Sequence, residues 1–276
     1  MPLTAVGHVR KMRGGAQAHL LEADDGCWYV VKFRNNPQHR RILVNELVSA
    51  VFLKHLQIST ASAALIRITP EFLAKNPDIY IHLGAQRIAV EPGWHFGSRH
   101  PGNPDTTAVY DFVPDALLGR VTNLDDFLRV LVFDKWMANA DGRQCVFFRA
   151  HIEEWHSVPR QAFVAVMIDH GFVFNGPNWE LTDSPLLGLY PRKLVYEQVR
   201  SFEDFEPCLE QVVNFPDEVV DQAYRQIPPQ WLEGEEDEFE QLLEKLMRRR
   251  SRVPELISDS RKARSNPFPN WTGSPG

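Results

Sequence analysis

The sequence predicts an α+β chain of two lobes, a small β-rich N-lobe followed by a mainly helical C-lobe. Three observations point there. Short β-forming runs punctuated by Gly and Asp turns fill residues 6–33, helical spacing of apolar residues recurs from residue 124 onward, and the stretch at 91–106 is dense in Gly, Pro and His. At 276 residues, 43% hydrophobic and 24% charged, the chain has a globular composition and enough length to bury a sizeable core.

Val6 to Phe33 reads as a meander of three strands, with turns at Gly14-Gly15 and Asp24-Asp25-Gly26. Trp28-Tyr29-Val30-Val31-Lys32-Phe33 is aromatic and β-branched, as a strand prefers. Asn35-Asn36-Pro37 breaks that strand, and Gln38 to Leu56 carries Ile42, Leu43, Leu47, Ala50 and Val51 at the spacing of an amphipathic helix. Leu65 to Ile68, Tyr80 to Leu83 and Gln86 to Val90 are further strands. Gly93 to Pro101 reads as an irregular, partly apolar loop, with Trp94 and Phe96 lining the cleft or packing between lobes. The lobes divide there: an N-lobe over 1–95, a C-lobe over 96–265 and a flexible Pro/Gly/Ser-rich tail over 266–276.

In the C-lobe, Leu124 to Met137 is expected to be helical, with Asn123 as N-cap and Asp125-Asp126 in the first turn. Val146 to Phe148 and Phe163 to Ile168 form a hairpin across the mouth of a cleft, and helices follow at 194–199, 205–213, 217–226 and 236–250. The basic run Arg248, Arg249, Arg250 and Arg252 follows the acidic stretch Glu233 to Glu240. It reads as a solvated, charge-paired helix, with a phosphate- or partner-binding surface as the other reading.

Charge and cysteine usage narrow the function classes. A formal charge of −6 argues against general nucleic-acid binding. Cys27, Cys145 and Cys208 are widely separated thiols without a Cys-x-x-Cys pair, which fits a reducing cytoplasm and signals neither a disulfide framework nor a thiolate zinc site. His19, His95 and His100 match no zinc spacing either. No apolar run approaches the roughly 18 residues of a membrane span, and Met1 to Arg13 lacks a signal-peptide core.

The residues that carry chemistry are few. Asp141 precedes the first hairpin strand and Asp169 ends the second, so the hairpin brings both carboxylates to one end. That suits phosphoryl transfer, in which one carboxylate orients a hydroxyl and the other holds Mg²⁺; taken singly, each is also a plausible turn former. Lys32 stands among apolar strand residues and needs a partner, for which Glu46 on the following helix is available. An exposed edge lysine and a solvated glutamate are the alternative. Gly14-Gly15-Ala16-Gln17 sits in the first hairpin turn, either letting backbone N–H groups approach phosphate or simply turning the chain; it is neither a P-loop nor a dinucleotide fingerprint.

Taken in order, Gly14-Gly15-x-Gln17, Val31-Lys32-Phe33, Asn45-Glu46, Asn139-Ala140-Asp141 and Ile168-Asp169-His170-Gly171 resemble the motif series of the HipA-like bacterial kinases. The resemblance covers roughly residues 10–200. It implies a two-lobed protein-kinase-like fold, related to phosphatidylinositol kinases, and ATP-dependent phosphorylation of protein Ser or Thr. In that reading Gly14, Gly15, Gln17, Lys32 and Glu46 serve the nucleotide, Asp141 is the catalytic base and Asp169 holds Mg²⁺. The chain departs from the family pattern in three ways. Val146 stands where a second metal-binding Asn is usual, leaving Gln144 as the nearest amide; His170 stands where Phe is common; and the chain begins almost at the nucleotide loop, as a compact form without the N-terminal module. A pseudokinase that holds nucleotide or a protein partner without turnover is one alternative. A small-molecule phosphotransferase with an acidic pocket from Glu153, Glu154 and Asp183 is another. The oligomeric state is left open.

Overall fold

The computed structural model describes residues 2–152, 160–263 and 265–272. The N-terminal part contains β1 (Leu3–Lys11), β2 (His19–Ala23), β3 (Trp28–Lys32), α1 (Arg41–His55), β4 (Ala63–Ile68), α2 (Pro70–Lys75), β5 (Tyr80–Leu83), β6 (Gln86–Ala89) and β7 (Gly93–Arg99). Five strands close into a barrel in the order β1-β2-β3-β7-β4, sealed by parallel pairing of β1 with β4, while β5 and β6 form a separate hairpin. Alternation along β3 explains its placement. Val31 and Phe33 join Leu21, Ile66 and Ile68 in the apolar core of the barrel, so Lys32 between them faces the other way.

The segment expected as an irregular loop at 93–101 is strand β7, paired on one side with β3 and on the other with β4. A Cβ on Gly97 would stand 2.5 Å from Ile66 Cγ1, so glycine is there because the Ile66 side chain fills the space a Cβ would take. A division at 95/96 falls inside this strand, and the barrel runs on to Arg99. His95 is fully buried: its Nδ1 accepts from the Arg34 amide (2.9 Å), so its Nε2–H donates to Glu91 O (3.0 Å).

Two barrel histidines are held neutral. Burial, aided by the charge of Arg34, lowers His95 to about 3, and burial with the charges of His8 and Lys11 lowers His19 to about 4. Both folded values lie below the ordinary value near 6.5, so this stability is present above that pH and is lost as the pH falls toward the folded values. Acidifying from pH 7 to 5.5 is expected to cost about 1 kcal/mol for each histidine. Urea unfolding at the two pH values checks this, and a flat profile would show that both rings protonate freely.

The helix expected over 38–56 is α1, and it is not amphipathic. Ile42, Leu43, Val44, Leu47, Val48, Phe52 and Leu53 are at most 3% exposed and lie on every side of it. A helix apolar all round belongs in an interior, and α1 packs into the core of the second lobe, each such side chain contributing roughly 1.5–3 kcal/mol over exposure. It ends in a Schellman motif: Gln57 takes a left-handed φ of 56°, its amide donates to Lys54 O, and that of Ile58 donates to Leu53 O.

The second part contains β8 (Val109–Tyr110), α3 (Asp115–Leu118), α4 (Asp126–Trp136), β9 (Gln144–Ile152), β10 (Arg160–Ile168), α5 (Glu206–Val213), α6 (Asp217–Arg225), α7 (Pro229–Leu232), α8 (Glu236–Arg249) and α9 (Val253–Lys262). The predicted hairpin is the antiparallel pair β9–β10, which matches Gln144 with Ile168. The segment expected as a helix at 194–199 is a 3-10 turn over Lys193–Tyr196. Asn123 does not cap α4 as expected. Its amide instead donates to Ala165 O (2.7 Å) and Asp126 Oδ2 (2.9 Å) and accepts from Ala165 N (2.9 Å), stitching the helix start to β10.

Two expectations at the C-terminal end are corrected. Arg249 is buried, not solvated. It donates to Lys135 O and Trp136 O, satisfying carbonyls at the end of α4, and pairs with Asp183. The expected tail is packed over 266–272: Phe268 is fully buried against Tyr196, Phe205 and Trp271, because one Phe and one Trp outweigh the loop-like composition around them. Residues 273–276 lie outside the described residues. No helix among the described residues is long and apolar enough to cross a membrane.

Candidate active site

Lys32 sits at the centre of the site. A closed barrel offers a strand lysine no edge, and Lys32 is 8% exposed with its ammonium turned onto α1 and the end of β10. Its Nζ donates to Glu46 Oε1 and to Asp169 Oδ1, the latter at 2.6 Å. The alternative of a solvated lysine and glutamate is therefore excluded, Glu46 being 2% exposed. Burial works against the Lys32 charge, but the two carboxylates outweigh it and raise the pKa above its ordinary value. Burial and the nearby Asp169 push the Glu46 carboxyl up against the pull of Lys32. Burial also opposes ionisation of Asp169, yet Lys32, with Arg143 behind it, holds that carboxyl below its ordinary range. Asp169 is the more exposed carboxylate, with 36% of its side chain accessible, and is the reachable one of the two.

Asp169 has a left-handed φ of 58°, and its neighbours hold that conformation. Arg143 donates through Nη1 to Ile168 O (3.1 Å) and to His170 Nδ1 (2.9 Å). With Nδ1 accepting, His170 carries its proton on Nε2 and donates it to Thr60 Oγ1 (3.0 Å), which in turn donates to Met167 O (3.0 Å). Burial, then the charges of Arg143 and Lys32, keep His170 neutral. Arg143 is itself clamped by Asp134, which accepts from its Nε (2.8 Å) and Nη2 and also from Asn139 Nδ2 (3.0 Å). On the other side, Asn45 donates to Gly171 O (2.7 Å), Val173 O (3.0 Å) and Gly176 O (3.0 Å) and accepts from Trp179 Nε1 (2.9 Å). Asp134, Arg143, His170, Thr60 and Asn45 thus fix the backbone on both sides of Asp169. Sequence reading assigned none of them a role. The available signal was Asp134 in the apolar run Val130-Leu131-Val132-Phe133, a buried carboxylate that requires a partner.

Asp141 lies at the same end of the β9–β10 hairpin, exposed to solvent. Its Oδ1 accepts from Gly142 N (2.7 Å) and its Oδ2 from Gln144 Nε2 (3.2 Å), while its amide donates to Asn139 Oδ1 (3.2 Å). Asn139 therefore links the Asp141 loop to the Asp134–Arg143 pair that supports Asp169. Among the described residues no group of three or more His, Cys, Asp or Glu side chains converges as a metal cage. The oxygen donors of Asp169 and Gln144 nevertheless fit Mg²⁺, which keeps several waters and shares phosphate oxygens instead of filling its shell with protein.

The Gly14-Gly15 turn lies against the connection from β3 to α1: a Cβ on Gly15 would meet Gln38 Nε2 at 2.8 Å. Gly14 has a φ of 119°, which favours glycine. Gln17 differs from expectation. Its Nε2 donates to His82 O (2.7 Å), and its Oε1 accepts from His82 N (2.8 Å) and Lys11 Nζ (2.9 Å). Its amide is committed to anchoring the β5–β6 hairpin, so the turn offers a ligand backbone and not this side chain. Asp183 is paired with Arg249 and Arg252, and Glu153 and Glu154 lie outside the described residues.

A family model described as HipA-like kinase matches residues 8–258. The chain belongs to that family. Comparison with curated proteins finds no match. Among solved structures the chain is similar to "Crystal structure of the golgi casein kinase", at 13% identity and a TM-score of 0.51, covering 96% of this chain and 74% of that one. A second, "crystal structure of the Golgi casein kinase with Mn/ADP bound", aligns at 12% identity and a TM-score of 0.49 over 93% and 74%. At such identity the first likeness shows the fold alone: this HipA-like kinase has a protein-kinase-like fold, with strands first and helices later.

Proposed function

We propose that this HipA-like kinase transfers the γ-phosphoryl group of Mg-ATP to a Ser or Thr hydroxyl of a protein. The observation that carries the reading is the buried Lys32 ammonium held between Glu46 and the accessible Asp169. An ammonium fixed by a buried carboxylate is a rigid positive point for phosphate oxygens, and a second carboxylate beside it is placed for the cation that bridges them. Mg²⁺, when bound, neutralises charge on the phosphates. Asp169 would ligate it, with Gln144 as a second oxygen donor, and Gly14 and Gly15 would admit phosphate to backbone N–H groups. Asp141, exposed at the mouth, would accept the proton of the attacking hydroxyl; its oxygen bonds to the γ-phosphorus as the bond to the β–γ bridging oxygen breaks and ADP leaves. The separate free thiols, Cys27, Cys145 and Cys208, suit a cytoplasmic setting.

Val146 favours a second reading, nucleotide binding without turnover. It is a strand residue paired with Val166 and brings no ligand atom where the family usually places an amide. Calorimetric titration of ATP with and without Mg²⁺, followed by an assay for transfer to added protein, separates the two. Metal-dependent binding with transfer supports the kinase; binding without transfer supports the second reading; no binding removes both. Asp169→Asn is expected to weaken Mg-dependent ATP binding roughly 10- to 100-fold, the worth of a charge-assisted interaction, while metal-free ATP binds no worse because Lys32 is released. Intact metal dependence in that variant would take Asp169 out of the role of ligand.

A further inference from the structure

A cavity of about 650 Å³ opens between α1, the connection from α1 to β4 with the first residue of β4, and α6. Its volume is within the range of small-molecule sites. Its floor is apolar, from Leu47, Ala50, Val51, Ile58 and Val219, and its rim carries hydrogen-bonding side chains including Ser59, Thr60 and Gln222. Its charged lining is of one sign. On a chain with 36 acidic residues and a formal charge of −6, no Asp or Glu lines this cavity, whereas Lys54 and His55 do. An apolar floor, neutral donors and one positive edge select an amphiphile with a flat or branched apolar body and a single anionic group.

The walls lead to the candidate active site by two short routes. Leu47 and Ala50 lie within a turn of Glu46 on α1. On the opposite wall, Thr60 is bonded to Met167 O and to His170, the residue after Asp169, and Ser59 O accepts from Met167 N (2.8 Å). A ligand between these walls braces both carboxylates that hold Lys32. We propose that this cavity is a regulatory site for a small amphiphilic anion, whose occupancy tightens nucleotide binding at Lys32 and Asp169. The binding half stands on the cavity alone; the coupling half rests on the phosphotransfer reading.

The probe is 8-anilinonaphthalene-1-sulfonate, an apolar body with one sulfonate, titrated by fluorescence into the folded full chain with and without Mg-ADP. Saturable binding at one site is expected, weakened roughly 10-fold by Lys54→Glu, which reverses the edge charge at an exposed position, and abolished by Val219→Trp, which fills the floor. Thermal unfolding of both variants verifies that they fold. Saturating probe should tighten Mg-ADP roughly 5-fold, and in Thr60→Val, with Mg-ADP affinity at saturating probe compared with the same variant's probe-free value, that gain should vanish, since the coupling passes through its hydroxyl. Equal probe binding in wild type, Lys54→Glu and Val219→Trp overturns the site. Probe binding that leaves Mg-ADP affinity unmoved overturns the coupling. Absence of Mg-ADP binding with or without probe counts against the coupling and the phosphotransfer reading, whereas the binding half is still decided by the two cavity variants.

Discussion

Asp134→Ala should destabilise the protein by about 3–5 kcal/mol, the usual cost of leaving a buried charge without its partner. The side chains of Asp134 and Arg143 are both fully inaccessible. Removing the carboxylate strands a guanidinium whose remaining partners are Ile168 O and His170 Nδ1, neither of which carries charge. It also releases Asn139, which donates to Asp134 and accepts from the Asp141 amide. Urea unfolding measures the loss. The double variant Asp134→Leu with Arg143→Met is expected to recover most of the stability, because two apolar groups leave no uncompensated charge. It should still bind nucleotide poorly, because the hold on the backbone at Ile168 and His170 is gone. A single-variant loss below about 1 kcal/mol would mean that water reaches Arg143.

That pair also marks where sequence stops being informative. The positions of Lys32, Glu46, Asp141 and Asp169 were legible because each stands at the edge of a local pattern: a charge inside a β-branched strand, an acid on the helix that follows, an Asp before the first strand of a hairpin and another after its second. The hairpin register that matches Gln144 with Ile168 then follows from period-two alternation. Arg143 contacts His170 across 27 positions, and Thr60 reaches the same ring from 110 positions away. No local period reports such distances. Strand β7 was misread for a different reason. Gly97 and His95 have a loop-like composition, but within a closed barrel they are the space taken by the Ile66 side chain and a neutral, doubly bonded ring. Gln17 shows the reverse failure: it fitted the motif order, and its amide is used by the β5–β6 hairpin.

Asp141→Asn should lower the rate of phosphoryl transfer roughly 10²- to 10⁴-fold, the range for loss of a general base, with the affinity for Mg-ATP kept within about 3-fold. The substitution is close to isosteric, and its amide oxygen still accepts from Gly142 N where Oδ1 does now. Because Asp141 is exposed, stability should change by less than about 0.5 kcal/mol, so a lost rate reports chemistry and not unfolding. Single-turnover transfer from γ-labelled ATP is the measurement, since it isolates the step in which the hydroxyl gives up its proton. Gln144→Ala is the informative companion. Gln144 donates to Asp141 Oδ2, so if it only orients that carboxylate, its loss should lower the rate with Mg²⁺ affinity unchanged. If it supplies the oxygen that Val146 cannot, its loss should raise the Mg²⁺ concentration needed for transfer. An Asp141→Asn enzyme with an undiminished rate would place the base elsewhere.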